Sequence, residues 1–142
     1  MIYTETKIRV LYAYTDKMNI VSNTRYLEFY EAGRMEMLRQ IGYPYNEMEE
    51  DGIGLPLIES HSNYLNPARF DDIIRIRAFL KEKPTVRIKI DYELYVGELL
   101  INTGYTLHSF VRLDILKPVR PPQRLLTVIK DFENKIKSEG NI

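Results

Sequence analysis

Cysteine is absent from this chain of 142 residues. Its absence excludes a cysteine nucleophile, thiolate metal sites and disulfides, and it suits a reducing compartment. An excess of charge is missing too, since 20 basic residues balance 20 acidic ones. No global field draws in a polyanion, so nucleic acid is not an expected partner, although local basic patches for a phosphorylated small molecule fit this balance. No apolar run approaches the ~18 residues that a transmembrane helix requires. The first twenty residues carry Glu5, Lys7, Arg9, Asp16 and Lys17 where a signal peptide has its apolar core. The expectation is a cytoplasmic protein without a membrane partner. Internal repeats, low-complexity segments and interdomain linkers are lacking as well, and the length fits a single domain over 1–142.

What is present is one long helical pattern, then strands. Ile8, Val10 and Tyr12 alternate within 7–13, which predicts a short edge or flanking strand. From Thr24 to about Ile41, the residues Tyr26, Phe29, Tyr30, Gly33, Met37 and Ile41 recur at steps of three and four, the stripe of a central helix. Ser22, Asn23 and Thr24 favour N-cap geometry, and Gly42 is a natural stop. Gly33 on the buried stripe costs about 1 kcal/mol of helix propensity against alanine and predicts close packing of the helix backbone on a sheet. Tyr45 to Asp51 reads as a second short helix, with Glu47, Glu49, Glu50 and Asp51 on a solvated face.

The rest is mainly β. Leu55 to Leu65 is polar for a strand, whereas Ile74 to Leu80 and Thr85 to Leu94 alternate cleanly. Lys83-Pro84 marks a turn, and Val96-Gly97-Glu98 predicts a hairpin into a last strand from about Leu99 to Leu113. Pro118, Pro121 and Pro122 end the sheet, and Leu125 to Ile136 forms a terminal helix in the tail 118–142. One long helix and antiparallel strands predict an α+β architecture with the sheet wrapped around the helix.

Candidate chemistry centres on Thr15 to Asn23. Asp16 lies just before a helix start, where exposed backbone N–H groups can stabilise an oxyanion, so it reads as half of a hydrolytic site. An aspartate in such a loop equally fits a turn or cap. His61 and His108 belong to no metal-spacing motif and read as hydrogen-bonded or surface residues; no metal site is expected. The eleven tyrosines read as core or dimer packing. Glu31 and Arg34, at i and i+3 on a helix, read as a pair.

Asp16-Lys17-Met18-Asn19-Ile20-Val21, Tyr26 and Glu31-Ala32-Gly33-Arg34 resemble the 4-hydroxybenzoyl-CoA thioesterase family of hotdog-fold proteins. Leu55 to Glu59, Tyr64-Leu65-Asn66-Pro67-Ala68-Arg69-Phe70-Asp71-Asp72 and the strand Ile74 to Leu80 extend the likeness over roughly 5–115. The resemblance implies a hotdog fold and hydrolysis of an acyl-CoA to free acid and coenzyme A. A thioester on acyl carrier protein, or acyl-thioester binding without catalysis, stand as alternatives. Asp16 is then the catalytic acid, attacking the thioester carbonyl or activating water, and both routes stay open. The oxyanion donor is the backbone N–H of Asn23, seven positions on, a group whose loss costs ~3–4 kcal/mol of transition-state stabilisation. Many relatives have glycine where Asn19 stands, and asparagine tolerates the left-handed backbone of a turn. They have histidine or tyrosine where Asn23 stands, a side chain free to vary if the backbone serves. Asn19, Tyr26, Arg69, Arg87 and Lys89 are the implied substrate-binding residues, with Arg112 a further basic candidate for coenzyme A phosphates. No cofactor is implied. The acyl pocket is expected between subunits of a homodimer or homotetramer.

Overall fold

Gly33 lies where a helix meets a sheet at close range. A Cβ at this position would stand 2.7 Å from Ile76 and 3.6 Å from the Tyr92 ring, so glycine is what lets the backbones approach. The helix is α1, Tyr26–Ile41, in a computed structural model that describes residues 1–140. Its buried residues are the expected stripe, Tyr26, Phe29, Tyr30, Gly33, Met37 and Ile41, together with Leu38. Gly42 closes it at φ 106°, a left-handed angle that glycine adopts without penalty.

Around α1 runs an antiparallel sheet of β1 (Ile2–Arg9), β4 (Ile73–Leu80), β5 (Arg87–Val96), β6 (Leu99–Ser109) and β3 (Leu57–Tyr64), in that spatial order. Ile74, Ile76, Ala78 and Leu80 of β4 and Ile88, Ile90, Tyr92 and Leu94 of β5 are buried with the α1 stripe, which makes this face the core. The arrangement is the expected α+β hotdog architecture. Gly97, at φ 59°, forms the β5–β6 turn between Val96 and Leu99, as the sequence predicts.

Several boundaries differ from the sequence reading. The first strand ends at Arg9, and Tyr12–Tyr14 is a 3-10 turn with the Tyr12 side chain exposed. Strand β1 begins at Ile2 because Ile2 and Thr4 carry its buried face, a pattern hidden by polar Thr4, Glu5, Thr6 and Lys7. None of Ser22, Asn23 and Thr24 caps α1 through its side chain; a 3-10 turn, Asn23–Arg25, leads into the helix instead. The last long strand stops at Ser109. Beyond Phe110 the chain joins a small sheet of β2 (Ile53–Gly54), β7 (Val111–Arg112) and β8 (Lys117–Pro118), so Pro118 takes part in a strand pair. Helix α2 spans Tyr45–Glu50, and α3 spans Gln123–Gly140, longer than expected, burying Leu125 and Ile129 against the core.

Strand β3 explains its own polarity. It pairs only with β6 and forms a sheet edge, with every residue but Ser62 exposed. Its outer backbone groups have no strand beside them. Among the described residues no helix is long and apolar enough to cross a membrane.

Behind this edge lies a polar network inside the core. The Tyr30 hydroxyl bonds Ser62 at 2.8 Å and donates to Asn102 Oδ1, while Asn102 Nδ2 donates to Ser62 Oγ at 2.9 Å. Burial pushes the Tyr30 hydroxyl up to about 12, so it stays protonated. His108, fully buried, bonds Thr106 Oγ1 through Nε2 at 2.9 Å and the Leu55 carbonyl through Nδ1 at 3.1 Å. His61 lies outside, stacked on Tyr105 and bonded to Asn63. Both histidines therefore take the hydrogen-bonded roles expected of them. Glu31 and Arg34 form no ion pair; the Arg34 charge lies close enough to His108 to lower its pKa.

Candidate active site

Asp16 is held by a small hairpin that its own backbone builds. Thr15 and Val21 form an isolated antiparallel bridge. Between them the Asp16 N–H donates to the Ile20 carbonyl at 2.9 Å, and the Asn19 N–H donates to the Asp16 carbonyl at 3.0 Å. Asn19 has φ 63°, the left-handed conformation expected of it. The Met18 N–H donates to Asp16 Oδ1 at 2.8 Å, an Asx turn that fixes the carboxylate. Asp16 Oδ2 makes no hydrogen bond among the described residues.

Two further bonds clamp this hairpin to its surroundings. The Val21 N–H donates to the Ala68 carbonyl and the Ser22 N–H to the Tyr14 carbonyl, both at 2.8 Å. The chain then turns at Ser22 (φ −63°, ψ 140°) into the Asn23–Arg25 turn and α1. Asn23 is thus the first residue of the 3-10 turn that leads into α1, and its N–H has no acceptor within that turn. That N–H and the positive end of α1 face a negative charge favourably.

The opposite wall comes from the end of β3. The Tyr64 ring packs edge-on against Tyr26, with centroids 5.1 Å apart, and its hydroxyl reaches the Asn23 carbonyl at a long 3.4 Å. Leu65 and Asn66 N–H groups both donate to the Ile101 carbonyl, at 2.9 and 3.1 Å, and Asn66 Nδ2 donates to the Leu100 carbonyl at 2.9 Å. These bonds fix the segment that accepts Val21. A cleft of about 520 Å³ results, with Asp16, Met18, Ile20, Val21, Asn23 and Tyr26 on one side and Tyr64 to Pro67 on the other. Burial, and then the neighbouring Tyr64, raise the Tyr26 hydroxyl above its ordinary value, so the wall it forms is neutral at pH 7. A larger groove of about 810 Å³ runs along α3. It brings no acid to a helix N-terminus, so the smaller cleft is the candidate site.

Of the residues singled out in the sequence, Asp16, Asn23 and Tyr26 meet in this cleft. Asn19 shapes the turn beneath it without lining it. Arg69 follows two positions after Pro67, exposed, with its N–H bonded to Asp72 Oδ2 at 2.8 Å. Arg87 and Lys89 do not join the cleft within one chain. Lys89 pairs with Leu107 of β6 while Tyr64 pairs with Asn102, a separation of five residues or ~17 Å along the strand. Their side chains alternate with buried Ile88 and Ile90 and so leave the sheet on its outer face, Lys89 lying over the Tyr105 ring. Arg112 is in β7, paired with Asp114 at 2.7 Å. The sequence reading did not single out Met18, Ile20, Val21 or Tyr64 to Pro67 as site residues. The signal for the second group was the Tyr64-Leu65-Asn66-Pro67 segment, which carried family likeness without a role.

An acid and a helix-start residue in one apolar-walled cleft have the means to attack or hydrate a carbonyl and to hold the oxyanion that forms. The family model of the Thioesterase-like superfamily matches residues 10–129, starting a little later than the roughly 5–115 of the sequence resemblance and ending beyond it. The acyl-CoA thioester hydrolase YbgC of Escherichia coli O6:H1 is 31% identical over 124 residues, covering 87% of this chain and 92% of its own. The acyl-CoA thioesterase YbgC of Haemophilus influenzae is 26% identical over 119 residues, with 83% and 88% covered. Among solved structures, the DHNA-CoA thioesterase of Staphylococcus aureus superposes with a TM-score of 0.85 at 26% identity, covering 99% of this chain and 95% of that one.

Proposed function

We propose, for a chain that belongs to the Thioesterase-like superfamily, that its activity is hydrolysis of acyl-CoA thioesters to free acid and coenzyme A. The names of the relatives support the substrate class. The observation that carries the reading is the Asp16 carboxylate, locked by the Met18 N–H, in one cleft with Asn23, the first residue of the turn into α1.

The thioester carbonyl oxygen accepts the Asn23 N–H, and the carbonyl carbon faces Asp16 Oδ2. Asp16 either adds to that carbon, or takes a proton from a water molecule that adds in its place. In both routes the C–S bond breaks and coenzyme A leaves as a thiolate, a good leaving group given a thiol reference pKa of ~8.5. After direct attack, water hydrolyses the mixed anhydride and regenerates the carboxylate. No cofactor enters this scheme.

A homodimer belongs to the same reading. Its support is β3, an unpaired edge that carries exposed Leu57, Ile58 and Tyr64 and ends at the cleft. The reading further takes 1–142 as one domain and the cytoplasm as its compartment, which the lack of cysteine suits.

The test is purified protein against short, long and aromatic acyl-CoAs, with free thiol followed. Turnover of at least one class is expected. Binding of several without release of thiol would reject the enzyme.

A further inference from the structure

Tyr12 and Phe70 meet ring to ring in the open. Their centroids lie 5.6 Å apart at 76°, an edge-on pair, yet Tyr12 is 74% and Phe70 55% exposed. Aromatic pairs stabilise a fold most where they are buried, and this one leaves most of its area in water.

Two turns hold the rings there. Thr15 donates to the Tyr12 carbonyl through its N–H at 3.1 Å and through Oγ1 at 2.7 Å, which closes the Tyr12–Tyr14 turn. On the other side the Arg69 N–H donates to Asp72 Oδ2 at 2.8 Å and the Asp72 N–H to the Arg69 carbonyl at 3.1 Å, with Phe70 between them. Asp71 in this loop is left-handed, at φ 70°, and Arg9 Nη1 donates to its carbonyl at 3.1 Å and to its Oδ1 at 3.0 Å. Such strain persists only where surrounding bonds enforce it. The loops are also tied to each other, since the Asp71 N–H donates to the Val10 carbonyl at 3.0 Å and the Val10 N–H to the Asp72 carbonyl at 2.8 Å. The backbones that carry the two rings are therefore fixed relative to one another.

The pair borders the Asp16 cleft. Tyr12 stands four residues before Asp16 and Phe70 three after Pro67, both lining residues, which bounds the backbone separations at ~14 Å and ~11 Å. Lys17 follows Asp16 and Arg69 precedes Phe70, and both are exposed. Arg9 is committed to Asp71, whereas among the described residues the Lys17 and Arg69 side chains form no ion pair.

Coenzyme A has parts that match this rim. Its thioester sulfur ends a pantetheine arm about as long as four extended residues, ~15 Å, and the far end of that arm carries phosphates and adenine. A purine face stacks on an exposed aromatic ring, and lysine and arginine hold phosphate. Arg87 and Lys89 leave the sheet on its outer face, so within one chain they do not supply these contacts.

We propose that Tyr12 and Phe70 form a stacking platform for the adenine of coenzyme A, with Lys17 and Arg69 beside its phosphates, so that a thioester at Asp16 is held by its nucleotide at the rim of the same chain. This rests on the acyl-CoA reading above, and the experiment separates the two.

Tyr12→Ala/Phe70→Ala removes two exposed side chains. Wild type and variant are compared on an acyl-CoA and on the same acyl group carried by N-acetylcysteamine, a thioester without the nucleotide. The variant should show a KM about tenfold higher for the acyl-CoA, little change in kcat, and wild-type kcat/KM for the N-acetylcysteamine thioester. Calorimetry should show about a tenfold loss of affinity for coenzyme A and none for pantetheine. Equal losses on both thioesters mean that the pair only supports the fold, and overturn the platform. A variant with wild-type KM and wild-type affinity for coenzyme A overturns it while leaving the thioesterase. ADP bound more tightly than coenzyme A by wild type assigns the rings to free nucleotides and overturns it as well. A wild type that binds coenzyme A through these rings and releases no thiol from any acyl-CoA overturns hydrolysis and leaves the platform. A wild type that neither binds coenzyme A nor hydrolyses its thioesters overturns both.

Discussion

Asp16 accepts the Met18 N–H through Oδ1 at 2.8 Å, while its Oδ2 has no partner among the described residues. One oxygen thus holds the turn and the other is left free on a residue that lines the cleft. This division separates the fold of the loop from the chemistry proposed for it and lets each be removed alone.

Asp16→Asn keeps an oxygen for the Met18 N–H and loses the charge. Turnover should fall by roughly 10² or more, with an unchanged denaturation midpoint. Thiol release by this variant at the wild-type rate would place the chemistry elsewhere.

The role of Asn23 is assigned to its backbone, and proline isolates that backbone. Asn23 is the first residue of the turn into α1, where proline is tolerated, and Ser22 before it has φ −63° and ψ 140°, the extended geometry a following proline requires. Asn23→Pro should therefore fold and lose about 10²–10³ in kcat. Asn23→Ala, which keeps the N–H, should stay within a few-fold of wild type. Equal losses in the two variants would assign the role to the side-chain amide.

Asn19 governs the turn from its left-handed φ of 63°. Asn19→Gly should retain stability and turnover. Asn19→Val meets the steric cost of that region, roughly 1–2 kcal/mol, and should lower both the urea midpoint and kcat by moving Asp16. A valine variant with wild-type values of both would show that the turn does not position the acid.

His108 sets a pH dependence of stability. Burial, and then the nearby charge of Arg34, lower its pKa to about 4 from the ordinary 6.5. Between these values the unfolded chain takes up the proton and the folded chain refuses it. Stability from this group is complete above about pH 6.5 and is lost as pH falls toward about 4, with a slope of at most about 1.4 kcal/mol per pH unit. Urea unfolding of wild type and His108→Gln across this window is the measurement. The variant should lack this part of the slope, and identical pH profiles would remove His108 as its source.

Much of the fold was legible because its signals are local. The α1 stripe, its Gly42 stop and the Gly97 turn depend on residues a few positions apart, and each falls where its spacing predicts. The polarity of β3 was visible, but its cause was not, since being a sheet edge depends on pairing with β6 some forty residues away. The boundary errors share that origin. Strand β1 was missed at its start because polar side chains conceal an alternation that only the partner strand β4 makes useful.

The site divides the same way. The candidate acid, its turn and the candidate oxyanion donor were legible in the sequence, because Asp16, Asn19 and Asn23 lie within eight residues of a segment that carries the family resemblance and their backbone geometry follows from turn and helix-start chemistry. Only the tertiary structure decided the opposite wall, since Tyr64 to Pro67 reach Tyr26 through the β3–β6 register. It also decided against Arg87 and Lys89 as cleft residues within one chain. Their charge is plain in the sequence, but which end and which face of the sheet they occupy is fixed by strand direction and pleat, and these arise only when β5 pairs with its neighbours.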